Sequence, residues 1–333
     1  MHGSATGTRT PGNSIRGATL HPRSEDRAFR AKYVMRQAVV SEPIELDARD
    51  LRIRRMLKAL EREEFVLHYQ PQVRTESGDV AGAEALIRWQ HPSRGLLVAA
   101  CFLPALQDFR FARFVGEWTA WRARRDIERW RREGLKTVPV AVNIHPEHLA
   151  VPEFASMFLA ASGGTLDIEI VEAALGRGED ILPALRALRA AGVRVLLDDF
   201  GIGYSSLGRL TELPIDVLKI DKTFISALAL PRPPALRRRA RRILATIVSL
   251  AHICMLTTIA EGVETRAEFA AIAALGCDQS QGYLHSPAVS AARFAEFLLP
   301  VGTAHAGSEP SSQEKRADPD RAIARDARPM RRP

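Results

Sequence analysis

The stretch "ILPALRALRAAGVRVLLDD" (181–199) joins a helix to a strand and ends in two neighbouring carboxylates. Its first part, residues 181–192, has the composition of an amphipathic helix, and Gly192 is a typical helix end. The apolar run that follows, "VRVLLD" (193–198), predicts a buried strand. A helix, a glycine and a strand in this order predict a sheet whose strands alternate with helices.

The same alternation continues on both sides, from about residue 51 to residue 299. A first helix carries apolar residues at positions i, i+3, i+4 and i+7, and the turn "TESGD" (75–79) then makes a hairpin of two strands. Strands are predicted at 65–73, 80–89, 138–143, 166–171, 193–198, 216–220, 257–262 and 280–284. Helices are predicted at 112–133, 147–160, 181–192, 236–252, 266–275 and 290–299. This order predicts an α/β fold, a (β/α) barrel, with a doubly wound sheet as the structural alternative.

The chain of 333 residues has a formal net charge of +8 that is unevenly distributed. Residues 1–46 and 301–333 are polar and basic and predict disordered tails around one domain at 47–300. Two further basic blocks, 122–132 and 232–242, could face nucleic acid, anionic lipid or water. No known nucleic-acid motif accompanies them, so we expect solvated helix faces and no nucleic-acid partner.

Cysteine usage and hydropathy predict a cytoplasmic protein without a membrane span. The three cysteines are widely spaced and form neither a disulfide framework nor a metal-ligand pair, which is typical of a reducing compartment. Residues 243–260 contain no Asp, Glu, Lys or Arg, but they include Ser249 and His252. We therefore interpret this stretch as a buried helix followed by a strand.

Polar residues occur repeatedly in or at the ends of the predicted strands. In a barrel the carboxyl ends of the strands surround one mouth, and acids gathered there repel one another unless cations neutralise them. The ligands would be oxygens without Cys or His, which favours Mg²⁺ or Mn²⁺ over Zn²⁺. The residues concerned are Glu84, Asn143, Glu169, Asp198, Asp199, Lys219 and Glu261.

The adjacent pair Asp198 and Asp199 requires a break in the strand, because neighbouring side chains of a regular strand point to opposite faces. Gly201 and Gly203 permit a turn there, so both carboxylates can face the mouth. Such a pair suits two metal ions about 3.5–4 Å apart. Lys219 would add a positive charge for a phosphoryl oxygen or for a bound hydroxide. The chemistry favoured is attack of an activated water on a phosphodiester.

Eight collinear motifs resemble the EAL domain family of cyclic di-GMP phosphodiesterases. They are "YQP" (69–71), "EALIRW" (84–89), "VN" (142–143), "EIVE" (169–172), "DDFGIGYSSL" (198–207), "LKIDKTF" (218–224), "AEGVET" (260–265) and "GCDQSQGY" (276–283). The resemblance covers about residues 50–300. It implies a modified TIM (β/α)8 barrel with one antiparallel strand from the N-terminal hairpin, and hydrolysis of cyclic di-GMP to linear pGpG.

The resemblance also implies roles for individual residues and a cofactor of two Mg²⁺ or Mn²⁺ ions. A first ion would be held by Glu84, Asn143, Glu169 and Asp198. A second would be held by Asp198 and Asp199, with Glu261 nearby. Lys219 and Gln281 would act on the attacking water, Arg88 would contact a substrate phosphate, and Glu172 would position the loop 200–207. That loop region is also where the family's pattern implies a homodimer.

Some positions depart from the family pattern. Val171 and Ile202 stand where threonine is usual, Gln107 stands where glutamate is usual, and the basic block 232–242 replaces a stretch that is more often acidic. Two alternatives to an active phosphodiesterase follow. One is a catalytically weak EAL domain that acts as a cyclic di-GMP receptor or protein adaptor. The other, from the chemistry alone, is an enolase-like barrel with strand-end acids, Mg²⁺ and a lysine base.

Overall fold

The computed structural model describes residues 48–102, 109–172, 180–201, 213–228 and 233–299. Its strands are β1 (Phe65–Arg74), β2 (Val80–His91), β3 (Gly95–Val98), β4 (Val140–Asn143), β5 (Leu166–Val171), β6 (Val195–Phe200), β7 (Val217–Ile220), β8 (Thr257–Ala260), β9 (Gln279–Gln281) and β10 (Val289–Ser290). Its helices are α1 (Ala48–Glu61), α2 (Phe109–Arg132), α3 (Pro146–Leu149), α4 (Phe154–Ser162), α5 (Leu182–Ala190), α6 (Lys222–Ser226), α7 (Pro234–Ile253), α8 (Arg266–Ala273) and α9 (Ala291–Phe294), with short 3₁₀ helices at Ala99–Cys101 and Ala295–Leu298.

Eight of the strands close into a barrel. β2 and β4 to β9 pair in parallel, and β1 closes the ring by pairing antiparallel with both β2 and β9. The short strands β3 and β10 add to β2 and β1 outside the closed ring. The predicted modified TIM barrel is therefore confirmed, including its one antiparallel strand from the N-terminal hairpin, and the doubly wound alternative is wrong.

The helix expected at 147–160 is wrong as one element, because the chain forms α3 and α4 instead. Pro152 lies between them and has no N–H to donate, and the residue before a proline avoids the helical region. Directly after α3, the backbone N–H of Val151 donates to the carbonyl of His148 at 3.0 Å and forms a turn. The helix expected at 290–299 likewise divides into α9 and a 3₁₀ turn.

The main core lies between the outer face of the barrel and the helices. Tyr69 of β1 is fully buried against Trp130 of α2 and Phe294 of α9, with ring centroids 5.0 and 5.7 Å away. Its hydroxyl donates to Asp126 at 2.9 Å, and the indole N–H of Trp130 donates to the carbonyl of Ala291 at 3.1 Å. These contacts fix α2 and the C-terminal helix on the antiparallel strand that closes the barrel.

The barrel interior has an apolar layer directly below its mouth. Four buried residues contact one another there: Ala141, Leu196, Val217 and Ile259. Each lies two residues before Asn143, Asp198, Lys219 or Glu261, and alternate residues of a strand share a face. The polar residues at the mouth consequently stand on a dry floor, where an unpaired charge costs more free energy than in water.

The opposite end of the barrel, where the strands begin, also carries acids. Asp167 accepts from Nη2 of Arg194 at 2.7 Å and from its backbone N–H at 3.0 Å. Asp216 accepts from Arg189 at 2.7 Å and from the backbone N–H of Val195 at 2.9 Å. Each of these two acids has its own partners.

A third acid at this end, Asp278, is held by residues of β8 and α7. Its Oδ2 accepts from the backbone N–H of Thr258 at 2.8 Å and from the hydroxyl of that residue at 2.7 Å, and it lies 3.0 Å from Nε2 of His252. Partial burial would raise the pKa of Asp278, but the hydrogen bonds from His252 and Thr258 outweigh it and lower the pKa.

The predicted tails, 1–46 and 301–333, lie outside the described residues, as does the loop 202–212 with Ile202, and so does Gln107. The residues from Arg52 onward form one compact unit in the described part of the chain. None of the described helices is both long and apolar enough to cross a membrane.

Candidate metal centre and active site

Lys219 lies at the centre of the site, fully buried on β7 with its ammonium group among four carboxylates. Its Nζ lies 2.6 Å from Oε1 of Glu261 and 3.2 Å from Oδ1 of Asp198. The other two partners are Oε2 of Glu84, at 3.4 Å, and Oε1 of Glu169. One positive charge thus faces acids carried by β2, β5 and β6 and by the residue that follows β8.

Asn143 and Gln281 fix the orientation of the Glu84 carboxylate. Nδ2 of Asn143 donates to Oε1 of Glu84 at 2.8 Å, and Nε2 of Gln281 donates to Oε2 at 2.6 Å. These donors come from β4 and β9, on strands separated around the ring. Each oxygen of Glu84 therefore has a defined amide donor, and both residues lie where the sequence predicted a site.

A break in β6 brings both aspartates to the mouth. The backbone of Asp199 is left-handed, with φ of +57°, and Gly201 continues the turn with φ of +99°. The pairing of β6 with β7 shifts register at this point, which is the signature of a bulge that re-aims a side chain. The predicted turn is confirmed at Gly201, although its left-handed residues begin at Asp199 itself, and Gly203 lies outside the described residues.

Among the residues that the structure describes, two groups of three carboxylates are close enough to hold a cation. One oxygen from each of Glu84, Glu169 and Glu261 lies within 4.8 Å of the others, and the same holds for Asp198, Asp199 and Glu261. Glu261 belongs to both groups, so it lies between the two positions. The shared role that the sequence assigns to Asp198 stays a prediction.

Burial and crowding set the protonation of these groups. Burial, followed by repulsion from Glu84, raises the pKa of Glu169 well above its ordinary value, and burial raises the pKa of Glu261 to about 8. Burial would raise the pKa of Asp198 as well, but the attraction of Lys219 outweighs it and lowers that pKa. Burial disfavours the charged amine of Lys219, yet the surrounding carboxylates raise its pKa well above the ordinary value, so it stays an ammonium.

The donor set fits a hard divalent cation. It consists of five carboxylates and the Asn143 amide, all oxygen donors, against one lysine. Oε2 of Glu169 is buried and has no hydrogen-bond donor within the part of the chain that the structure describes. A buried carboxylate oxygen without a donor is costly, and a cation would satisfy it. The cluster is therefore one that could bind metal.

Glu172 and Arg88 lie at the edge of this cluster. Oε2 of Glu172, which is buried, accepts from the backbone N–H of Gly201 at 2.7 Å, at the start of the loop that it was predicted to position. Arg88 is buried four residues after Glu84 in β2, on the same face of the strand. Their expected roles toward loop and substrate stay predictions.

Sequence reasoning missed Gln70 and Gln72 of β1. Nε2 of Gln281 also donates to Oε1 of Gln70 at 3.0 Å, and Nε2 of Gln72 donates to Oε1 of Gln281 at 3.1 Å. A Cβ at Gly82 would lie 2.6 Å from Oε1 of Gln72, so that glycine leaves room for the side chain. The sequence feature that could have predicted them is the alternating polar pattern of β1, in which His68, Gln70 and Gln72 share the face turned toward the barrel interior.

Comparisons with known proteins agree with this geometry. A family model described as "EAL domain" matches residues 53–288. The bifunctional diguanylate cyclase/cyclic di-GMP phosphodiesterase MucR of Pseudomonas aeruginosa is 38% identical over 234 residues, 68% of this chain and 33% of MucR. The cyclic di-GMP phosphodiesterase NbdA of the same organism is 34% identical over 289 residues, 85% of this chain and 36% of NbdA.

Solved structures show the same architecture. The PaMucR phosphodiesterase in its c-di-GMP complex is 35% identical, with a TM-score of 0.66 over 73% of this chain and 99% of that one. The EAL domain of Mycobacterium smegmatis DcpA is 30% identical, with a TM-score of 0.58 over 70% of this chain and 97% of that one. The chain spans about a third of the length of MucR and NbdA. From the family match and the site described above, the chain belongs to the EAL domain family.

Proposed function

We propose that the chain is a metal-dependent phosphodiesterase that hydrolyses cyclic di-GMP to linear pGpG. The observation that carries this proposal is the ring of Glu84, Glu169, Asp198 and Glu261 around the buried Lys219. A ring of acids with more negative charge than its lysine can balance favours divalent cations and an anionic substrate held through them. The cyclic di-GMP phosphodiesterase activities for which MucR and NbdA are named support the choice of cyclic di-GMP.

The cofactor in this proposal is two Mg²⁺ or Mn²⁺ ions. When bound, such ions lower the pKa of a water and neutralise phosphodiester charge. Glu84, Asn143, Glu169 and Asp198 would hold one ion, and Asp199 with Glu261 and Asp198 would hold the other. The membership of Glu261 in both carboxylate groups supports a close pair of positions.

The remaining side chains orient the reactants. The ammonium of Lys219 would hold the attacking water or a phosphoryl oxygen, because it is charged, buried and fixed by its carboxylates. Gln281 holds one oxygen of Glu84 and so fixes the water's surroundings. Arg88 would contact a substrate phosphate through its guanidinium. Glu172 would tie the loop after β6 to the site through Gly201.

Three other expectations belong to this proposal. The active unit would be the domain 47–300, the enzyme would work in the cytoplasm, and it would form a homodimer through the region 200–207. Most of that region lies outside the described residues. Sedimentation of the purified chain with and without nucleotide tests the dimer independently of activity.

The proposal is tested with purified protein, cyclic di-GMP and Mn²⁺ or Mg²⁺, followed by nucleotide chromatography. We expect pGpG to accumulate, chelation by EDTA to stop it, and Glu169→Gln to abolish it. A matched control is Asp167→Asn, two residues earlier on the same strand at the other end of the barrel. Nucleotide binding without any product under Mn²⁺ would place the protein in the receptor class instead.

A further inference from the structure

We propose that the first half of α7 with its N-cap Pro233, together residues 233–243, docks this protein on an anionic membrane surface as an interfacial helix. We call this segment the basic half of α7. It plays no part in the metal centre, and its projection from the barrel, its charge and its exposed apolar residues each support the proposal.

The basic half of α7 projects beyond the packed part of its helix. The buried residues of α7 are Leu244, Val248 and Ala251, and each residue from 233 to 243 is exposed or half-buried. At about 1.5 Å per residue, roughly 15 Å of helix precedes the first buried side chain. Within the described part of the chain, burial against the barrel therefore begins at Leu244 and does not account for the length of the helix before it.

Every charged side chain of this segment is an arginine. Its arginines are Arg237, Arg238, Arg239, Arg241 and Arg242, and the sequence contains no Asp or Glu from residue 227 to residue 260. A helix N-terminus carries a positive partial charge, so cations gathered there repel it. An anionic surface would remove this unfavourable interaction, whereas water only screens it.

Exposed apolar residues accompany the arginines. Leu236 is 51% exposed and Ile243 is 42% exposed. They are seven residues apart, so they lie on one face of the helix, two turns from each other, with Ala240 between them. Ile247 extends the same line and packs on the main core. A line of apolar side chains flanked by arginines is the pattern of a helix that lies at a membrane interface.

Other occupants fit this surface less well. Segments 1–46 and 301–333 are themselves basic, with seven Lys or Arg against four Asp or Glu in the first and seven against five in the second. A second copy would bring two equally charged helices together. The segment 233–243 has no aromatic residue to stack on a base and no Asn or Gln to read a base edge, which disfavours nucleic acid.

The segment lies at the mouth end of the barrel. In chain order, α7 follows β7, which carries Lys219, and precedes β8. The basic half is the first part of this helix. Helices that follow a barrel strand begin at the end where that strand finishes. Docking through the basic half of α7 would therefore place the membrane surface beside the mouth.

The test is co-sedimentation of the full chain with phosphatidylcholine vesicles that contain or lack phosphatidylglycerol. We expect binding only to the anionic vesicles, and weaker binding as salt is raised. The charge variant is Arg238→Glu with Arg239→Glu, and it should lower the partition coefficient at least about tenfold. The apolar variant, Leu236→Ser with Ile243→Ser, should lower it severalfold because insertion is lost.

The matched control reverses the same number of charges elsewhere: Arg131→Glu with Arg132→Glu, both exposed at the end of α2. It should bind like the parent, because it leaves the basic half of α7 unchanged. All variants keep both basic tails, so any binding by the tails is the same in each, and circular dichroism verifies that each variant is folded. The proposal is overturned by no binding to anionic vesicles, by equal loss in the control, or by an apolar variant that binds normally. Retention of RNA or DNA in place of vesicles would also overturn it.

Discussion

Asp167 and Asp216, at the end of the barrel where the strands begin, each have an arginine and a backbone N–H of their own. At the mouth, by contrast, four carboxylates share the single ammonium of Lys219. Both ends carry carboxylates paired with basic side chains, and β5 contributes one acid to each end. They differ in whether a carboxylate has a cation of its own or shares one with other carboxylates.

The difference separates structural acids from candidate functional ones. A carboxylate with its own donors lowers the free energy of the fold modestly and leaves nothing for a ligand to satisfy. Of the four carboxylates that share one cation above an apolar floor, Glu169 and Glu261 have raised pKa values, so a further cation at the mouth would lower their free energy. The mouth therefore has the electrostatics of a site that a bound cation would stabilise.

The largest effect is expected for Lys219→Met, which leaves two buried and two half-buried carboxylates without their shared cation. Removing one partner of a buried ionic network costs about 3–5 kcal/mol of unfolding free energy. Urea denaturation in EDTA should reveal this loss, and Mn²⁺ should restore part of it. The matched variant Arg194→Met, at the opposite end, should cost about 1 kcal/mol or less, because its side chain is 40% exposed. Equal losses in the two variants would remove the distinction between the ends.

Next in size is the effect of Glu84→Gln on turnover. This change keeps the shape and removes the charge of a proposed metal ligand, so kcat should fall about a thousandfold, equivalent to about 4 kcal/mol. Asp167→Asn makes the same chemical change at the other end and should alter kcat by no more than about twofold, although it lowers stability by about 1–3 kcal/mol. Steady-state kinetics and urea denaturation on both variants separate the two effects. Wild-type turnover in Glu84→Gln would refute the ligand assignment.

A smaller effect is expected for Gln72→Leu, which removes the donor to Oε1 of Gln281. The Gln281 amide is then free to turn its oxygen toward Glu84, and a lost hydrogen bond of about 1–1.5 kcal/mol corresponds to about a tenfold lower kcat. Gly82→Ala should also lower kcat, because the new Cβ displaces the Gln72 side chain. KM for the nucleotide should change less than kcat in both. A change confined to KM would place Gln72 in substrate binding instead.

The smallest effect concerns Asp278 and pH. Its hydrogen bonds lower the folded-state pKa below the ordinary value of 3.8. Its contribution to stability is therefore present above pH 3.8 and is lost as the pH falls through the lower folded-state pKa. Asp278→Asn should lower Tm at pH 7 by a few degrees at most, and the gap to the parent should close in acid. The exposed Asp79→Asn serves as control, and a gap that grows in acid would contradict the assignment.

The strand order and the strand-end residues could be predicted from the sequence, because long periodic segments and acids after apolar runs depend on local pattern. The prediction missed the short strands β3 and β10 and the helix α6, because elements of two to five residues are stabilised by tertiary pairing. It also missed the division of one helix at Pro152. The hydrogen-bond partners of Asp167 and Asp278 were not predicted from the sequence either. Nothing local in the sequence distinguishes an acid with its own donors from one that shares a lysine.

The most direct test of the central claim is to count the Mn²⁺ ions that the purified chain binds, from the loss of the free-ion electron paramagnetic resonance signal. We expect two ions per chain in the wild type, one in Asp199→Asn, and two again in Asp167→Asn. The last variant controls for the loss of a carboxylate that already has its own partners. A wild-type chain that binds no Mn²⁺, or an Asp167→Asn variant that loses binding as Asp199→Asn does, would contradict it.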